Sequence, residues 1–122
     1  MEKKRILIVD DDKSILKSFT QILQQEGYDV DTAETGHEAI EMYRTRQYAL
    51  ALLDIRLPDM EGTELLKIIN GHTPRTHKII ITGYPSIDSA LNALVLEADA
   101  YLTKPVDIQE LLETVRKKLK EE

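Results

Sequence analysis

The sequence predicts an α/β protein built on a doubly wound, five-stranded parallel sheet with helices on both faces, in the strand order 2-1-3-4-5. Three observations lead there. Short apolar runs of strand length alternate with amphipathic stretches of helical period, giving five consecutive βα units. Strict alternation of this kind requires parallel strands joined by right-handed crossovers, which place helices around the sheet. Polar residues follow the first, third, fourth and fifth runs, whereas nothing comparable follows the second. With strand two at the edge the other four are contiguous, and the acidic ends of strands one and three fall where the winding direction reverses.

The first strand is Ile6-Leu7-Ile8-Val9, ended by Asp10 and Asp11. Ile15, Leu16, Phe19, Ile22 and Leu23 then recur at helical spacing, so a helix is expected over about residues 14–26, with Asp12 or Ser14 as a cap and Gly27 as its stop. A weak strand alternates over residues 28–33, and a second helix carrying Ala39, Ile40 and Tyr43 begins near Gly36. Leu50-Ala51-Leu52-Leu53 forms the third strand and ends at Asp54. Leu57-Pro58-Asp59-Met60-Glu61-Gly62 keeps no period and is punctuated by Pro and Gly, which marks a loop. Leu65, Leu66 and Ile69 define a third helix ending near Gly71. The fourth strand covers residues 78–82, and a fourth helix runs over about 86–96 with Ile87, Ala90, Leu91 and Leu94 on one face. Tyr101-Leu102-Thr103 is a short fifth strand. The last helix follows Pro105, with Asp107 as N-cap and Ile108, Leu111, Leu112, Val115 and Leu119 as an inward stripe.

A chain of 122 residues, 42% hydrophobic and 31% charged, has the size and balance of one soluble globular unit, so residues 1–122 are expected to form a single domain. A net charge of -6 weighs against a nucleic-acid surface, which needs clustered positive charge. The densest basic run, Arg116-Lys117-Lys118 with Lys120, sits where it complements the negative end of the last helix. The chain has no cysteine, which removes disulfides, thiol nucleophiles and cysteine-ligated zinc. Only four apolar residues follow the basic start Met1-Glu2-Lys3-Lys4-Arg5 before Asp10, too few for a signal core or a membrane span, and a cytoplasmic location is expected.

On the predicted topology Asp10, Asp11, Asp54, Thr82 and Lys104 converge at the carboxyl edge of the sheet. Taken singly, an Asp at a strand end reads as a turn or helix cap. As a set at the same end of four strands, the five describe a site. Three neighbouring carboxylates repel one another unless a cation offsets them, and hard carboxylate oxygens suit Mg²⁺ or Mn²⁺. The charge of the three acids is then matched by a divalent metal plus the Lys104 ammonium. An Asp can attack phosphorus to give an acyl phosphate, a transfer catalysed mainly by positioning and charge neutralisation. Asp54, central in the row, suits the nucleophile. Asp10 and Asp11 would hold the metal, Lys104 would neutralise one phosphoryl oxygen, and the Thr82 hydroxyl would hydrogen-bond another.

Four segments, Ile6 through Asp11, Leu53 through Gly62, Ile81-Thr82-Gly83 and Tyr101-Leu102-Thr103-Lys104-Pro105, make the chain resemble the receiver domains of two-component response regulators along essentially its whole length. The resemblance implies a flavodoxin-like (βα)5 fold of the chemotaxis-Y-like type. It implies that Asp54 takes a phosphoryl group from the phosphohistidine of a histidine kinase or phosphotransfer protein, or from a small acyl phosphate. It also implies Mg²⁺ held by Asp10, Asp11, Asp54 and the Arg56 backbone carbonyl, and a cis Lys104-Pro105 peptide that aims the ammonium inward. A switch follows from it, in which Thr82 moves toward the phosphoryl group and Tyr101 turns inward. That remodels the face made by helix four, strand five and helix five, which contacts an output domain, a downstream protein or a second copy. Such a domain is a phosphoacceptor rather than an enzyme, promoting only its own phosphorylation and dephosphorylation. Because no DNA-binding domain follows Glu122, either a stand-alone receiver or a domain of a longer regulator or hybrid kinase is expected.

Departures from the common pattern are few. Val106 stands where Phe is often found, so looser or differently filled packing is expected beneath the site, and Glu97 stands where Gly often ends helix four. Ala93, Val95 and Leu96 extend the apolar surface of that helix, which is expected either to be packed on all sides or to offer an apolar partner or dimer surface. His37, His72 and His77 show no shared spacing or acidic partner that suggests a metal site and are expected at the surface or in loops. No G-x-x-x-x-G-K-[ST] loop is present, so ATP binding is not expected. Asp10 and Asp12 copy the Asp-x-Asp spacing of haloacid-dehalogenase phosphohydrolases, but Lys13 follows the pair and no segment remains for a cap domain. A flavin carrier of the same topology needs a phosphate loop where Asp10-Asp11-Asp12 would repel an anion. Pseudo-receivers usually lose a site residue, and none is missing here.

Overall fold

A computed structural model of the chain describes residues 3–72, 76–83 and 98–120. In chain order these form β1 (Arg5–Val9), α1 (Lys13–Gln25), β2 (Asp29–Ala33), α2 (Gly36–Thr45), β3 (Leu50–Asp54), α3 (Gly62–His72), β4 (His77–Thr82), β5 (Ala100–Thr103) and the C-terminal helix, here α4 (Ile108–Lys120). The helix expected over 86–96, with its Ala93, Val95 and Leu96, and the neighbouring Glu97 lie outside the described residues. The five strands pair in parallel in the order β2-β1-β3-β4-β5, as the silent second strand predicts.

Side chains alternate across each strand, so one sheet builds two cores. Ile6, Ile8, Leu50, Leu52, Ile79, Ile81 and Leu102 point to one face, where α1 supplies Leu16, Phe19 and Leu23 and α4 supplies Leu111, Val115 and Leu119. Leu7, Val9, Ala51, Leu53 and Ile80 point to the other, where Ala39 of α2 and Leu65, Leu66 and Ile69 of α3 meet them. At about 1.5–3 kcal/mol for each fully buried aliphatic side chain, the sheet interior is the largest stabilising term.

Local chemistry sets the helix ends. The Asp12 carboxylate accepts the amides of Ser14 at 2.9 Å and Ile15 at 3.4 Å and starts α1. Gly27 ends it at φ 96°, with the Gly27 amide donating to the Gln24 carbonyl and the Tyr28 amide to the Leu23 carbonyl, the left-handed closure that glycine adopts without strain. Asp107 caps α4 through the amides of Gln109 at 2.8 Å and Glu110 at 3.2 Å. Ile108, expected in the inward stripe, is instead 39% exposed: it is the first residue of α4, and the stripe begins to be buried only at Leu111. Val106 is partly buried against the same core. No described helix is long and apolar enough to cross a membrane.

Candidate functional site

Strand register assembles the site. Val9 lies beside Leu53, so Asp10 emerges next to Asp54; Asp54 lies beside Ile81, one residue short of Thr82; and Thr82 lies beside Thr103, one residue short of Lys104. Parallel strands about 4.8 Å apart therefore deliver four functional groups in a row along one sheet edge. The Lys104 amide donates to the Thr82 carbonyl at 2.7 Å, and the Lys104-Pro105 peptide is cis.

Asp10 and Asp54 are buried, at 3% and 6% exposure, whereas Asp11 is exposed. The Lys104 ammonium bridges the two buried acids, 2.9 Å from Asp10 Oδ2 and 3.3 Å from Asp54 Oδ2. Asp10 Oδ1 accepts the Asp12 amide at 2.9 Å and Asp54 Oδ1 the Arg56 amide at 3.1 Å, so each carboxylate is held at both oxygens. Burial pushes the Asp54 carboxyl up; the Arg56 amide opposes this, Asp10 adds to it and Lys104 opposes it, and the balance stays raised. Burial pulls the other way on Lys104, but its bonds to Asp10 and the charges of Asp10 and Asp54 outweigh it, so the group stays an ammonium.

One oxygen from each of Asp10, Asp11 and Asp54 lies within 4.8 Å of the others. An octahedral Mg²⁺ with bonds of ~2.1 Å holds adjacent ligands ~3 Å and opposite ligands ~4 Å apart, so small rotations of these side chains would close on the ion. The donor set, hard carboxylate oxygens at an open edge, fits Mg²⁺. Thr82 is fully buried at the end of β4. Tyr101 is partly buried against the α2 and α3 core, and its hydroxyl is buried without a hydrogen-bond partner among the described residues.

The loop after β3 is more ordered than its sequence suggests. The Gly62 amide donates to the Ile55 carbonyl at 2.7 Å, the Leu57 amide to the Met60 carbonyl at 3.2 Å, and Arg56 bridges Glu61, folding residues 55–62 into a narrow hairpin. A Cβ on Gly62 would lie 2.2 Å from the Asp54 carbonyl oxygen, so only glycine closes this hairpin. At its tip Asp59 accepts the amides of Gly36 and His37 and contacts the His37 ring. Each of two histidines meets one acid, His37 with Asp59 and His77 Nδ1 at 3.6 Å from Asp99, and neither joins a group of metal ligands among the described residues. Both partners are more than twenty positions away in the chain, beyond the reach of spacing arguments. The sequence signal for Asp59 was its place after Pro58 at a turn tip, where a short carboxylate meets backbone amides.

The sequence model of the response regulator receiver domain family matches residues 6–116. Among solved structures, the response regulator receiver domain protein (CheY-like) from Methanospirillum hungatei JF-1 superimposes with a TM-score of 0.96 at 48% identity, over 98% of this chain and 96% of that one. The beryllofluoride-activated NtrC4 receiver domain dimer matches with a TM-score of 0.91 at 35% identity, over 96% and 97%. The acid tolerance regulatory protein ActR of Rhizobium meliloti is 38% identical over 109 residues, 89% of this chain and 56% of ActR. The chain spans about half or less of the curated relatives it matches. Alike in sequence and in fold over nearly its whole length, the chain belongs to the response regulator receiver domains, phosphoaccepting and Mg²⁺-dependent signalling domains rather than enzymes with a turnover substrate.

Proposed function

We propose that Asp54 is the phosphoacceptor, taking its phosphoryl group from the phosphohistidine of a cytoplasmic histidine kinase or phosphotransfer protein. The observation that carries this is the clustering of Asp10, Asp11 and Asp54 oxygens within 4.8 Å around the end of β3, with the Lys104 ammonium on Asp54. An Asp54 carboxylate oxygen forms the bond to phosphorus as the P–N bond of phosphohistidine breaks, its electron pair leaving with the imidazole. Asp10, Asp11, Asp54 and the Arg56 carbonyl would hold Mg²⁺, which when bound would supply positive charge to offset that of the carboxylates and the phosphoryl group. Lys104 releases its contact with Asp54 to meet a phosphoryl oxygen while keeping Asp10. Thr82, next in the row, donates its hydroxyl to another.

The output follows from the same edge. Thr82 and Tyr101 sit on neighbouring strands, and the shift of Thr82 toward the phosphoryl group couples to the Tyr101 ring. This remodels the surface of β5 and α4, which engages an output domain, a downstream protein or a second copy. Receiver relatives include a beryllofluoride-activated dimer, which supports a dimeric output.

Incubation with acetyl phosphate or phosphoramidate and Mg²⁺ is expected to add one phosphoryl group, labile to hydroxylamine and absent from Asp54→Asn. No mass shift with any donor would sink the assignment.

A further inference from the structure

We propose that Asp59 is a positioning residue for the metal and phosphoryl site, tying the loop that follows Asp54 to the first turn of α2. The inference rests on the reading above in one respect, that the Arg56 carbonyl is a metal ligand. Arg56 and Asp59 belong to the same narrow hairpin, one at its base beside Asp54 and the other at its tip.

The tip is anchored twice. Asp59 Oδ1 accepts the Gly36 amide at 2.8 Å and Oδ2 the His37 amide at 2.9 Å, and the His37 ring closes on the same Oδ2. Beside it the Met60 side chain packs on Gly36 so closely that a Cβ there would lie 2.4 Å from Met60 Sδ. The first turn of α2 leaves its early amides without helical partners. Thr35, the local cap, accepts only the Glu38 amide, at 3.1 Å. The two remaining donors are met from 22 and 23 residues away, by a carboxylate at the positive end of the helix. Two charge-assisted bonds to rigid helix amides are stronger than neutral ones and fix both the position and the tilt of the acceptor. Residues 55–58 span only the distance between this anchor and Asp54, so an anchored tip restrains the Arg56 carbonyl. Without it the tip loses both bonds to α2, and the ligand must be ordered anew at each binding event.

The consequence is specific: Asp59 lowers the cost of metal capture without touching metal or phosphoryl group. Titration of the metal-free chain with MgCl₂, followed by calorimetry, is expected to show about a 3- to 10-fold weaker Kd for Asp59→Ala. Phosphorylation by acetyl phosphate should need correspondingly more Mg²⁺ yet reach the parent rate at saturation. Amide exchange at Leu57, measured without metal, should accelerate. Asp59→Asn, which keeps one acceptor oxygen, should recover part of the affinity, and it replaces Asp59→Ala should the latter fail to fold. An unchanged Mg²⁺ Kd in these variants overturns the inference, as does a loss confined to the saturated rate. A parent chain that binds no Mg²⁺ overturns the functional reading instead, and Leu57 exchange in the metal-free variants then still decides whether Asp59 holds the loop.

Discussion

Replacing Lys104 by Met removes the ammonium while keeping most of its stem, and so exposes what that charge does for Asp10 and Asp54. At 2.9 and 3.3 Å, with an effective dielectric constant near 20, the two attractions are about 6 and 5 kcal/mol before desolvation is counted. The side chains of Asp10, Asp54 and Lys104 are 4%, 8% and 23% exposed, so solvent screens the trio weakly. Removing one partner of such a group costs roughly 3–5 kcal/mol, because the acids are left buried and unpaired. For a domain of this size that is about 10–20 °C in Tm in EDTA. The substitution also removes the cation that competes for the oxygens a metal would use, so Lys104→Met should bind Mg²⁺ more tightly, by about 3- to 10-fold. Saturating Mg²⁺ should restore most of the lost Tm. Phosphoryl transfer should still fall about 10²- to 10³-fold, the scale for losing one group that stabilises developing charge. Thermal unfolding in EDTA and in Mg²⁺, calorimetric titration and acetyl phosphate kinetics together read all three effects. A variant as stable as its parent in EDTA, or one that binds Mg²⁺ more weakly, would refute the idea that Lys104 is the resident counter-charge.

Gly62→Ala places a methyl 2.2 Å from the Asp54 carbonyl oxygen and 2.5 Å from Ile55 Cα, both backbone atoms that cannot turn aside. The cost should reach about 3 kcal/mol in urea unfolding, the upper end for overpacking. Gly71→Ala, where nothing lies within 4 Å, should cost nothing and gain about 0.5 kcal/mol in helix propensity; equal behaviour of the two would contradict the hairpin closure. Asp12→Ala should lose about 1 kcal/mol of stability with its N-cap and keep phosphoryl acceptance, since its carboxylate is spent on the amides of α1. Loss of acceptance in that variant would favour an Asp10 and Asp12 pair over Asp10 and Asp11.

Much of this was legible because strands carry their information locally. The apolar runs of β1, β3 and β4 and the helical periods of α1, α3 and α4 lie within windows of a few residues, and the caps of α1 and α4 are set by neighbours, Asp12, Gly27 and Asp107. Position along a strand determines where its last residue emerges, so Asp10, Asp54, Thr82 and Lys104 could be placed at one edge before any contact was known. Ile108 shows the limit of such reasoning. Its spacing fits the α4 stripe, but where along a helix burial begins is a matter of packing, and the residue stays exposed while Leu111 is buried.

By itself, then, the sequence determined the fold class, the strand order and the members of the acidic site, because hydrophobic period and strand-end position are local properties that parallel pairing converts into neighbourhood. Only the tertiary structure decided that Lys104 bridges Asp10 and Asp54, that Gly62 closes a hairpin against the Asp54 backbone, and that Asp59 docks on the amides of Gly36 and His37. Those contacts join segments about twenty to nearly a hundred positions apart, or depend on the path of a loop with no period, and their geometry exists only once register and packing have brought the segments together.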